Sequence, residues 1–177
     1  MRNFAIVWLL ILSTILAACL GPSVGTAEWY VEQGNKLADD ELYNEAVEEF
    51  AKAIELNPRY AEAYSNRGLA YYYQYEFERA IADCNKAIEL DPDFAQAYNN
   101  RGLVHYSRYD YEQAIADYNK AIELDPDLAQ AYYNRGTVYK KQEQNIEAIA
   151  DFETVIDLSD DQWLIEMAEE HLDELSE

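Results

Sequence analysis

The chain has 177 residues and a formal net charge of −22, with half of its residues hydrophobic and 27% charged. That length suits one domain of ordinary size, and the apolar share is enough for a core, which excludes general disorder. A surface with 35 Asp and Glu against 13 Lys and Arg repels phosphodiesters, excluding nucleic acid as a partner, and repels anionic lipid headgroups as well.

Residues 1–18 differ in character from the rest of the chain. Arg2 supplies a short basic start, and Phe4 to Leu16 (FAIVWLLILSTIL) carries no charge. Such a run suits a secretory signal and is shorter than the ~20 apolar residues of a spanning helix. It ends at Leu16-Ala17-Ala18-Cys19. Ordinary cleavage after Ala18 would put Leu16 at a site that wants a small residue. Leu-Ala-Ala-Cys instead resembles the lipobox of bacterial lipoproteins. The resemblance implies that residues 1–18 are a cleaved signal peptide, that the Cys19 sulfur receives a diacylglycerol, and that the new amine is acylated. Three chains would anchor stably, since each buried methylene contributes about 0.8 kcal/mol and one chain alone is marginal. An uncleaved anchor and soluble secretion are the alternatives. With Cys19 lipidated, Cys84 has no partner, so no disulfide is expected. Leu20 stands where the inner-membrane retention signal of enteric bacteria would place Asp, which favours the outer membrane. Residues 19–26 form the lipidated cysteine and a short linker, Leu20 to Thr26, that reaches ~25 Å when extended.

From Ala27 the chain repeats itself. AEWYVEQGNKLADDELYNEAVEEFAKAIELNPRY (27–60) is succeeded by AEAYSNRGLAYYYQYEFERAIADCNKAIELDPDF (61–94), AQAYNNRGLVHYSRYDYEQAIADYNKAIELDPDL (95–128) and AQAYYNRGTVYKKQEQNIEAIADFETVIDLSDDQ (129–162) without gaps. A 34-residue period with these markers resembles the tetratricopeptide repeat family, whose unit is a helix-turn-helix. An aromatic recurs at the fourth position: Tyr30, Tyr64, Tyr98 and Tyr132. Glycine inside a helix costs up to about 1 kcal/mol, so Gly34, Gly68, Gly102 and Gly136 need a purpose, which is close approach of the two helices of a hairpin. Ala46, Ala80, Ala114 and Ala148 serve the same approach from the other side, and Phe50, Cys84, Tyr118 and Phe152 fill the space between. Pro58, Pro92 and Pro126 stop the second helices. The Asp93–Gln96 and Asp127–Gln130 pairs read as capping boxes. Residues 163–177 continue as one amphipathic helix with Leu164, Met167, Ala168, Leu172 and Leu175 on one face, a cap for a repeat array. The expected fold is therefore all-α: a right-handed superhelical solenoid of four hairpins closed by a C-terminal helix.

The family resemblance implies a concave face lined by the first helix of each hairpin. It points to Asn66, Leu69 and Tyr73, to Asn100, Leu103 and Tyr106, and to Tyr133, Asn134, Lys140 and Lys141 as groove residues. Such a groove is rich in amides and tyrosine, which suits an extended or helical protein segment. Lys140 and Lys141 are the only adjacent basic pair, and no acid stands between Asp127 and Glu143, so an acidic group could dock there. Some relatives clamp a carboxylate with three cations. Asn35 and Asn66 match that clamp's amides, but Val31, Gln96 and Asn100 stand where the cations belong, so that specificity is not expected. From Glu143 to Glu177 there are 13 acids and no Lys or Arg, read as a solvated cap with a docking surface for a basic partner as the alternative.

No catalytic, cofactor or metal site is expected. Arg67, Arg101 and Arg135 recur with Asp83, Asp117 and Asp151 sixteen residues later, and recurrence in three units speaks for structural ion pairs. His105 and His171 have no metal-ligand spacing around them, and Asp91-Pro92-Asp93 lacks a calcium-loop pattern. The composite expectation is a non-enzymatic scaffold on a bacterial envelope membrane. A self-associating envelope protein and a soluble exported chaperone-like protein are the alternatives.

Overall fold

The computed structural model describes residues 22–176. Cys19 and the segment before it lie outside the described residues. Nine helices and no strand are present among the described residues: α1 Ala27–Asp39, α2 Tyr43–Leu56, α3 Ala61–Tyr73, α4 Phe77–Leu90, α5 Ala95–Ser107, α6 Tyr111–Leu124, α7 Ala129–Lys141, α8 Asn145–Leu158 and α9 Gln162–Ser176. They pack as four consecutive antiparallel hairpins, α1–α2 through α7–α8, and each hairpin stacks on the next in a right-handed superhelix. The final helix lies on α8 and touches α7, in the place where a fifth hairpin would begin.

In the first, third and fourth hairpins the interior is built from a ring facing a glycine, and in the second the Cys84 Sγ faces Gly68. A Cβ on Gly102 would stand 2.5 Å from Tyr118 Cε1, and one on Gly34 the same distance from Phe50 Cε1. Both rings are fully buried and cannot retreat without opening the core. Ala46, Ala80, Ala114 and Ala148 are wholly enclosed beside them, as the sequence pattern implies.

The turns within the hairpins carry no glycine. Glu41, Tyr75, Tyr109 and Glu143 each adopt a left-handed backbone, with φ between 61° and 65°. In the second unit the Glu76 N–H donates to the Tyr71 carbonyl and the Tyr75 N–H to the Tyr72 carbonyl, both at 2.9 Å. This is a Schellman closure, which satisfies carbonyls left open at the helix end and usually takes glycine at the left-handed position.

The turns between hairpins differ from expectation. α5 and α7 begin after Phe94 and Leu128, neither of which has a capping side chain, so the Asp93–Gln96 and Asp127–Gln130 capping boxes do not form. Instead the Asp91 and Asp125 carboxylates accept the N–H of Asp93 and Asp127 at 3.1 Å, folding each Asp-Pro-Asp into an Asx turn. Gln96 donates to Asn100. Among the described helices from α1 to α8 only α1 has a side-chain N-cap, from Thr26 to the Trp29 N–H.

Candidate functional site

The expected groove amides hold the repeats to one another. Asn66 donates to Asn35 at 2.9 Å, Asn100 to the Ser65 hydroxyl at 3.0 Å, and Asn134 to Asn99 at 2.9 Å. Each bond joins the first helix of one hairpin to that of the preceding one. Asn100 is 1% exposed and so does not line the groove. Its amide is buried and needs a partner, which Ser65 supplies. Asn66, Leu69, Leu103 and Asn134 remain half-buried.

At the C-terminal end the groove is partly occupied by α9. His171 stacks on Tyr133 with ring centroids 5.8 Å apart and lies 4.9 Å from Phe152. Lys140 donates to His171 Nδ1 at 2.8 Å and to the Glu174 carboxylate. Nδ1 is therefore the acceptor, and Nε2 carries the proton facing the Tyr133 hydroxyl at 3.3 Å. Burial, together with the smaller effect of the Lys140 charge, pushes His171 below its ordinary value, and the Lys140 bond pulls Glu174 down. Tyr133 and Lys140 are thus engaged within the fold, and the expected adjacent cation pair is split: Lys140 faces α9, Lys141 does not.

An open cleft lies along the hairpin turns of the second and third units. Its volume is about 780 Å³. Tyr72, Tyr73, Tyr75 and Phe77 line it from one unit, and Tyr106, Ser107, Tyr109 and Tyr111 from the next, with Lys141 at the far end. Of the residues expected in the groove, Tyr73, Tyr106 and Lys141 stand here. Tyr75, Phe77, Tyr109 and Tyr111 were not expected, because they belong to turns and second helices. The available signal was the Tyr-acid-aromatic triplet, 75–77 and 109–111, recurring at the repeat period. The two triplets have the same geometry: Tyr75–Phe77 and Tyr109–Tyr111 centroids are each 6.2 Å apart at 71°. Tyr43 stacks on Tyr73 at 4.8 Å and extends the row of rings into the first unit. Tyr75 and Tyr109 are 82% and 79% exposed. Burial raises the hydroxyls of Tyr73 and Tyr106 above the ordinary phenol value.

The repeated Arg–Asp pairs, His105 and Cys84 are held within the hairpins. Arg67, Arg101 and Arg135 each grip the matching aspartate with two nitrogens, as the recurrence implies. Each guanidinium also lies 5.5–5.6 Å from the fourth-position tyrosine ring of its own unit. His105 sits half-buried near Asp117. Cys84 is fully enclosed, and burial pushes its thiol up to about 12. Among the described residues no group of His, Cys, Asp and Glu could hold a metal ion, and no helix is long and apolar enough to cross a membrane.

Family models for the tetratricopeptide repeat match residues 61–94, 84–116 and 129–162, and one for the TPR repeat matches 34–74 and 105–143. The crystal structure of MamA is 30% identical over 82% of this chain and 82% of its own, with a TM-score of 0.63. The chain belongs to the tetratricopeptide repeat family. The first TPR domain of Spaghetti (RPAP3), solved bound to the HSP90 peptide SRMEEVD, is 26% identical over 68% of this TPR chain and 99% of its own, with a TM-score of 0.61. A Thermus thermophilus TPR protein superposes with a TM-score of 0.76 over 82% of the chain and 81% of its own at 21% identity, which shows the shared fold alone. No curated protein sequence matches the chain.

Proposed function

We propose that this TPR protein is a non-enzymatic scaffold that binds a segment of another protein and is held at a bacterial envelope membrane, the outer one, by lipid on Cys19. The observation that carries the binding reading is the aromatic cleft of the second and third units. It is an open cleft of about 780 Å³, and Tyr75 and Tyr109 hold their rings out in solvent along it. The peptide-bound RPAP3 domain supports the same reading by likeness of family. The tether rests on the Leu-Ala-Ala-Cys motif behind an uncharged run.

Binding is tested with a photo-crosslinking amino acid placed at position 106 in the cleft and, separately, at position 89 on an exposed second-helix site. A discrete protein adduct from 106 and none from 89 supports the reading; equal labelling, or none, overturns it. Intact mass of the protein extracted from membranes tests the tether. A mature N-terminus lacking acyl mass on Cys19 removes it.

A further inference from the structure

The lining of the aromatic cleft is at odds with the rest of the molecule. On a chain of net charge −22, seven aromatic rings, one Ser and one Lys form the lining, with no carboxylate. Lys141 has no ionic partner among the described residues, although Lys140 beside it is paired with Glu174 and most other cations are paired with acids. The cleft therefore suits a ligand that is apolar along its length and negative at one end.

The rings also set a spacing. Tyr75–Phe77 and Tyr109–Tyr111 are copies of one arrangement, one per repeat. The first helices α3 and α5, which lead into the two turns, pack on each other, and packed helices lie about 8–10 Å apart, so the ring pairs at their ends are separated by about that distance. A polyproline II chain advances ~3.1 Å per residue with three residues per turn, or about 9.3 Å per turn. Each turn can lay a proline against each ring pair. An α-helix advances about 5.4 Å per turn and would leave alternate turns without a ring. A polyproline II backbone has no internal hydrogen bonds, so its carbonyls are free to accept from hydroxyls such as Tyr106 and Tyr72, the latter itself accepting from Ser107. Aromatic-lined grooves recognise this conformation because it is already ordered before binding.

We infer that the cleft takes a proline-rich segment in the polyproline II conformation, carrying an acidic residue that meets Lys141. This rests on the protein-binding reading and names the partner's chemistry. Tyr75 and Tyr109 are the residues to change, because their rings are the most exposed in the cleft and stand at left-handed positions that glycine accepts.

The test uses the full chain in detergent and three labelled peptides read by fluorescence anisotropy: nine prolines ending in glutamate, nine prolines ending in an amide, and an alanine-glutamate helix of equal length. The expected result is saturable binding of the first peptide. Tyr75→Gly with Tyr109→Gly should weaken it at least about tenfold, with a melting temperature no lower than the parent's. Lys141→Glu should weaken the glutamate-ended peptide about tenfold and leave the amide-ended one within about twofold. Absence of saturable proline-peptide binding overturns the inference, as does binding indifferent to the double glycine variant. If the helical peptide alone binds and the double variant loses it, the inference is overturned while the protein-binding reading stands. If no peptide binds, the inference fails and the crosslinks at position 106 decide the broader reading by themselves.

Discussion

The Arg101 guanidinium holds the Asp117 carboxylate with two nearly parallel bonds, Nε to Oδ2 at 2.9 Å and Nη2 to Oδ1 at 2.6 Å, tying the first helix of the third hairpin to its second. The carboxylate side chain is 9% exposed and the guanidinium 23%. Asp117→Asn keeps the shape but leaves a mostly enclosed cation without its counter-ion. The expected loss is about 2 kcal/mol, read as a lower urea midpoint at unchanged slope. Arg79→Ala, at an exposed pair with Glu76 at the start of α4, should move the midpoint by less than about 0.5 kcal/mol.

The Tyr118 ring fills the third hairpin opposite Gly102, and its hydroxyl is buried without a partner among the described residues. Phe50 and Phe152 fill the same place in other units without a hydroxyl. Tyr118→Phe should therefore stabilise the protein by about 1 kcal/mol. Gly102→Ala should do the reverse by about 1–2 kcal/mol, since overpacking against a fixed ring outweighs the gain in helix propensity. Calorimetric melts of both variants check the opposite signs.

Tyr75 and Tyr109 hold a conformation in which L-residues are strained. Replacing either with glycine relieves that strain, partly offset by the entropy glycine gains in the unfolded chain. Each change should raise stability by about 0.5–1 kcal/mol. Thermal melts of the single variants measure it. A fall in stability would mean the rings contribute to folding.

The cap is pH-sensitive through His171. Its folded value lies below the ordinary 6.5, so the folded state favours the neutral ring. A depressed value contributes stability that is complete above 6.5 and lost as pH falls through the folded value. Protonation would place a second cation at Nδ1 against the Lys140 ammonium at 2.8 Å, with Glu174 and Glu170 opposing that effect, while Tyr133 and Phe152 face the ring. Below 6.5, the protection of α9 amides, corrected for the slower intrinsic exchange at low pH, should fall before that of α1 to α8. Uniform exchange across the chain would show that the cap is not the responsive element.

The enclosed thiol of Cys84 should not react with a disulfide reagent in the native protein, and should react when the chain unfolds in urea. Native-state labelling at Cys84, mapped by peptide mass, would contradict the packing of the second hairpin.

Most of the architecture was legible because each repeat marker has one physical task. Gly102, Ala114 and Tyr118 can only be explained together, as a close helix pair filled by a ring, and Arg101 with Asp117 follows from antiparallel packing. The groove was less legible. Asn100 has the same chemistry whether it faces a ligand or Ser65, and only the stacking distance between hairpins decides. Tyr75 and Tyr109 were marked only by the recurring triplet, because a Schellman turn without glycine looks like continuing helix. Lys140 and Lys141 are neighbours in sequence, yet on a helix they point about 100° apart, which is why one meets α9 and the other the cleft.

The recurrence of the ring pairs gives the molecule a scale as well as a surface. Each unit of the 61–128 stretch adds one graduation, and Lys141 stands just beyond the second, where Glu143 and Asn145 replace the aromatics. Duplicating residues 95–128 would add a graduation without altering any type of interface already present. If the cleft takes a polyproline II segment, the preferred ligand would then grow by about three residues, and the length of the array would set the length of the segment.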